Sequence, residues 1–90
     1  MISENEKVRD EILEILYLSR SPSIFESGKV ERIKILESLP YNPEQIDQNI
    51  NNLCLKKLVD LRIYNSLWET AEITDGGIKY YESKKKEIII

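Results

Sequence analysis

Gln45, Gln48, Asn49 and Asn52 lie close together in the chain and carry its most specific chemistry. A carboxamide donates and accepts hydrogen bonds at once, so it matches the N6 and N7 atoms that adenine shows in the major groove of a duplex. All four sit in a segment from Pro43 to about Leu58 whose apolar residues Ile46, Ile50, Leu53 and Leu58 recur at helical spacing. With Ile46 and Ile50 turned inward, the helical wheel puts the four amides on or near the outer side, flanked by Glu44 and Asn51. The start of this helix is the clearest in the chain: Asn42 suits the N-cap, Pro43 the first helical position, and Glu44 the positive end of the helix dipole. Carboxamides on a solvated helix need no ligand, so the amide row gains meaning only from the fold around it.

Cations able to meet phosphates lie nearby. They are Lys29, Arg32, Lys34, Lys56, Lys57 and Arg62, the last beside a turn at Asn65-Ser66 that reads as the tip of a hairpin. A surface lysine is equally at home in water, and this reading stands beside the phosphate one. Other chemistries find little to work with. The chain has no histidine and one cysteine, Cys54, so the commonest general base is missing and no zinc ligand cluster exists. Gly76-Gly77 precedes a helix but lacks the spaced glycines and lysine of a phosphate-binding loop. No enzymatic activity, cofactor or metal is expected.

Charge argues the other way. The chain carries −3 overall, whereas duplex-binding domains are often basic. The acid is unevenly spread: residues 1–27 sum to −3, residues 28–58 to +1 and residues 59–90 to −1. The segment with the amide row is therefore the least repelled by phosphate, and its attraction is expected to be weak and salt-dependent.

The elements that must position these residues follow from periodicity. A first helix is predicted over residues 5–19, with Val8, Ile12, Ile15 and Leu16 facing a core and Asn5 as a possible cap. Leu13 and Tyr17 give it a second apolar side. Residues 24–28 are ambiguous and could be a short extended piece pairing with later strands. A second helix from about Lys29 to Leu39, with Val30, Ile33, Leu36 and Leu39 as its stripe, stops at Pro40. After the third helix, Val59–Tyr64 and Leu67–Ile73 read as two strands joined by the Asn65-Ser66 turn. Thr74 then caps a last helix to about Glu87. The order is three helices, a hairpin and a final helix in one domain spanning residues 1–90. Two helices joined by a tight connector and followed by a hairpin make a winged helix-turn-helix, mostly α with a small β wing.

Three stretches resemble the winged helix domains of archaeal and archaeal-virus transcription regulators. Ile33 to Pro40 is similar to that family's second helix. Ile46 to Val59 (IDQNINNLCLKKLV) is similar to its recognition helix. Ile73-Thr74-Asp75-Gly76-Gly77, followed by Tyr80 and Tyr81, is similar to its leucine-threonine-x-x-glycine entry to the last helix, with Gly77 in the glycine's place. One departure is Lys57, where the family often has a glycine closing the recognition helix. The resemblance implies sequence-specific binding of double-stranded DNA by a homodimer.

A dimer also follows from excess apolar surface. Leu13, Tyr17, Tyr80, Tyr81 and Ile88, with the tail Ile88-Ile89-Ile90, are more than one thin core needs. The competing reading packs Leu13 and Tyr17 on residues 20–28 and leaves the tail frayed. The apolar stretches are too short to cross a bilayer, and residues 1–10 lack the basic-then-apolar layout of a signal peptide, so a cytoplasmic location is expected. The acidic balance keeps a second function open: a winged helix module for protein–protein contact in a larger complex.

Overall fold

A computed structural model describes residues 3–20 and 28–88 of the chain, with side chains up to Lys85. Its elements are α1 (Glu4–Ser19), β1 (Val30–Glu31), α2 (Arg32–Ser38), α3 (Pro43–Leu55), β2 (Val59–Tyr64), β3 (Leu67–Ile73) and α4 (Asp75–Ile88). The strands form one antiparallel sheet in the order β1-β3-β2. Four helices with this sheet make a winged helix-turn-helix: α2 and α3 are the helix pair, and β2 and β3 the wing.

Local chemistry sets each boundary. The N-cap of α1 is Ser3, not Asn5, and its hydroxyl accepts from the Glu6 N–H at 3.1 Å. The second helix starts later than predicted, at Arg32, because Val30 and Glu31 pair with Ala71 and Thr70 instead. Extended pairing thus occurs just beyond the ambiguous stretch, of which residues 24–27 lie outside the described residues. Leu39 is extended, as the residue before a proline must be, and α2 ends there. Asn42 caps α3 by accepting from the Gln45 N–H at 2.8 Å.

The end of α3 comes three residues earlier than expected and is sharp. Leu58 N–H bonds to Leu53 O and Lys57 N–H to Cys54 O, both at 3.0 Å. Those two bonds are a Schellman motif, which needs its penultimate residue in the left-handed region. Lys57 takes that place at φ 64°, so a lysine adopts the conformation usually left to glycine.

In the wing, Asn65 and Ser66 both have positive φ, 52° and 66°, as a two-residue type I′ hairpin turn requires. Arg62 faces Thr70 but Ile63 faces Trp68, so Glu69 is an extra residue that bulges β3.

The Thr74 hydroxyl accepts from the Gly77 N–H at 2.9 Å, capping α4, and donates to Lys57 O at 2.8 Å. The entry to α4 is thereby clamped to the end of α3. Gly77 permits this approach: a Cβ there would collide with the Leu58 carbonyl oxygen and lie 2.7 Å from Ile73 Cγ1.

The core joins Val8, Ile12, Leu13 and Leu16 of α1, Ile46, Ile50 and Leu53 of α3, Ile35 of α2, and the inner sheet residues Val30, Val59, Trp68, Ala71 and Ile73. The first helix touches α3, α4 and β3, so both its apolar sides are covered. Leu13, expected at a dimer interface, is fully buried in this core.

Candidate nucleic-acid interface

The side of α3 facing away from the core carries Glu44, Gln48, Asn51 and Leu55, all exposed. These residues are spaced four, three and four apart, the repeat of one helix face. Half-buried Gln45, Asp47, Asn52 and Cys54 flank them. Of the four predicted base-contacting amides, only Gln48 stands fully out. Gln45 is half-buried. Asn52 is half-buried too, with an enclosed Oδ1 that meets no hydrogen-bond donor among the described residues.

Asn49 corrects the expectation outright. It is 3% exposed and points at α1, away from the outer face. Its amide donates to Asn5 Oδ1 at 3.1 Å and to the Gln45 carbonyl at 2.8 Å, and its own Oδ1 accepts from Arg9 at 3.1 Å. A buried amide must find partners: this one ties α3 to α1 through Asn5 and Arg9 and gives its other N–H to its own helix at Gln45. Centring the wheel on Leu53 together with Ile46 and Ile50 would have placed Asn49 inside and brought Asn51 and Leu55 to the front.

A second polar knot fixes the helix to the wing. Asp47 accepts from Arg32 Nε at 3.1 Å and Nη2 at 2.9 Å, and from the Trp68 indole N–H at 2.7 Å. Burial alone would raise the Asp47 pKa, but the hydrogen bonds from Arg32 and Trp68 outweigh it and hold the carboxyl below its ordinary value. The bond to Asp47 correspondingly raises Arg32. Arg32 was expected to meet a phosphate; its guanidinium is instead engaged by Asp47. This also removes one of the two acids near the start of the helix from its solvent face.

The remaining predicted cations, Lys29, Lys34, Lys56, Lys57 and Arg62, are exposed. Lys56 and Lys57 follow the outer stripe directly. At the wing tip, Asn65 and Ser66 are exposed and stand between Tyr64 and Leu67, which are exposed as well. A cleft of about 440 Å³ separates the wing from the start of α2, lined by Ile33, Tyr64, Leu67 and Trp68 with the carboxylates of Glu31 and Glu69 at hand.

The proposed dimer residues divide. Besides buried Leu13, Tyr17 and Tyr81 are half-buried and stack on each other with ring centroids 4.6 Å apart. The Tyr17 hydroxyl donates to Glu82 at 2.9 Å, a bond that raises its pKa. Both tyrosines are therefore engaged between α1 and α4 of one chain. Lys84 strengthens the same seam, donating to Asp10 at 2.9 Å and Glu6 at 3.2 Å. Burial opposes its charge, but these bonds prevail and raise its pKa. Tyr80 is exposed, as is Leu18, which sequence reading did not single out. The Ile88 side chain lies outside the described ones.

Among the described residues, no group of His, Cys, Asp or Glu side chains is placed to hold a metal ion, and no helix is long and apolar enough to cross a membrane. Cys54 is free and half-buried.

No family model matches the chain, and no curated protein matches it in sequence. Solved structures do match its fold. One is Sco5413, a MarR family transcriptional regulator from Streptomyces coelicolor, with 26% identity and a TM-score of 0.76 over 93% of this chain and 54% of that one. Another is AF1382 from Archaeoglobus fulgidus, with 19% identity and a TM-score of 0.67 over 92% of this chain and 85% of that one. A third is MepR, a transcription regulator of the Staphylococcus aureus multidrug efflux pump MepA, with 16% identity and a TM-score of 0.62 over 91% of this chain and 62% of that one. The chain spans about half the length of Sco5413.

Proposed function

We propose that this chain binds double-stranded DNA through the outer face of α3 and regulates transcription as a homodimer in the cytoplasm. One observation carries the reading: on a helix-turn-helix scaffold, the exposed face of the second helix of the pair presents Gln48 and Asn51. That helix is the one which enters the major groove in this architecture. The likeness to a MarR family regulator and to MepR supports the same reading, and the likeness to AF1382 fits the archaeal or archaeal-virus type.

Lys34, Lys56 and Lys57 supply phosphate contacts, with Arg62 on the wing. Dimerisation uses the surface left open on the terminal helices, around Leu18 and Tyr80. A two-fold axis there would present two copies of α3 to successive major grooves, roughly 34 Å apart.

A salt titration of duplex binding tests this. About four phosphate contacts per protomer predict a slope of log K on log salt of about −3.6 per protomer. No association at about 50 mM salt would refute it. One feature favours the second reading, a protein-contact module: the wing cleft joins exposed Ile33, Tyr64 and Leu67 to Glu31 and Glu69, and Arg32 in its lining is already paired with Asp47, a surface that suits a protein. Loss of DNA binding at low salt would leave that reading in place.

A further inference from the structure

We infer that the outer stripe of α3 reads A·T base pairs, with Leu55 packed against a thymine methyl group. This rests on the proposed duplex binding and specifies its target. Leu55 is the most exposed of the large apolar side chains on the described surface, at 83%, although the core lies one helix face away. It belongs to the same stripe as Gln48 and Asn51, so whatever meets those amides meets Leu55 as well.

The chemistry of the stripe is selective. A carboxamide pairs with adenine N6 and N7 through two hydrogen bonds, and the C5 methyl of thymine is the apolar feature of the major groove. Guanine is read most often by arginine or lysine. Within α3 there is no cation at all: Lys56 follows its last residue and Arg32 is held by Asp47.

The spacing fits a short run. From Gln48 to Leu55 the helix rises about 10.5 Å at about 1.5 Å per residue. At about 3.4 Å per base step, that is about three steps. The half-site therefore contains a run of A·T pairs, adenines facing Gln48 and Asn51 and a thymine facing Leu55.

Selection of duplexes from a random pool by the full chain comes first, followed by replacing each thymine of the selected site with deoxyuridine, which removes only the methyl group. The expected half-site has at least three consecutive A·T pairs. One thymine should lose about fourfold in affinity on replacement, the value of one buried methyl. Leu55→Ala should bind the thymine duplex about as weakly as the intact chain binds the deoxyuridine one, and should no longer respond to the replacement. Because Leu55 packs on nothing in the core, this variant should melt with the wild type, which a thermal scan checks. A half-site centred on G·C pairs, or an equal deoxyuridine effect on both proteins, overturns the inference while leaving duplex binding intact. A pool that yields no preferred sequence overturns the reading on which it rests.

Discussion

Asp47 joins three elements through one carboxylate, so its replacement should be felt in both the helix pair and the wing. Asp47→Ala removes two hydrogen bonds from Arg32 and one from Trp68. Arg32 is a quarter exposed and can turn to water, which recovers part of the loss. Trp68 cannot: at 3% exposure its indole N–H is left without a partner, at a cost of about 1–3 kcal/mol. With the lost charge-assisted bonds, the sum is about 2–4 kcal/mol. A small domain loses roughly 4–8 °C of Tm per kcal/mol, so the melting point should fall by roughly 8–32 °C. Trp68 is the only tryptophan, so its fluorescence reports the unfolding directly. The effect also has a pH signature. Because Asp47 titrates lower in the folded chain than in the unfolded one, its contribution is complete above the ordinary carboxylate pKa of about 4. It is lost as pH falls through the depressed folded value. Asp47→Asn should flatten that acid limb and retain part of the Trp68 bond. A Tm within about 2 °C of wild type for Asp47→Ala, with the acid limb unchanged, would mean that the knot is worth no more than a surface ion pair and would refute this reasoning.

Other expected outcomes are equally specific. Gly77→Ala forces a Cβ into the Leu58 carbonyl and should cost about 3 kcal/mol, read as a lower midpoint in urea. Lys57→Gly relieves the left-handed strain at φ 64° and should raise stability by about 1 kcal/mol in the same assay. Asn49→Ala should lower stability by about 1–2 kcal/mol through loss of its bonds to Asn5, Gln45 and Arg9. The DNA sequence preferred in a selection should not change with it, because Asn49 does not reach the outer face.

The parts of the fold written in local chemistry were legible. Alternation and the Asn65-Ser66 turn placed both wing strands with their observed ends, and Asn42-Pro43 and Thr74 marked two helix starts. What failed depends on partners distant in the chain. Leu13 looked surplus because nothing in its own helix shows that α3, α4 and β3 surround α1. Arg32 looked free because Asp47 lies 15 residues away in sequence. Asn49 looked like a ligand because a carboxamide reads as polar until Arg9 and Asn5 of α1 are found beside it. Val30 and Glu31 continue an apolar helical pattern, yet pairing with β3 outweighs that local preference.

The claim beneath the functional account is that Gln48 and Asn51 touch base edges. Its most direct test replaces both with alanine and compares affinity for a selected duplex with that for a scrambled one of equal length. Both side chains are exposed, so the double variant should melt like the wild type. The account predicts that preference for the selected duplex disappears while weak, salt-sensitive binding to both duplexes persists. Undiminished preference in a fully folded double variant would contradict it.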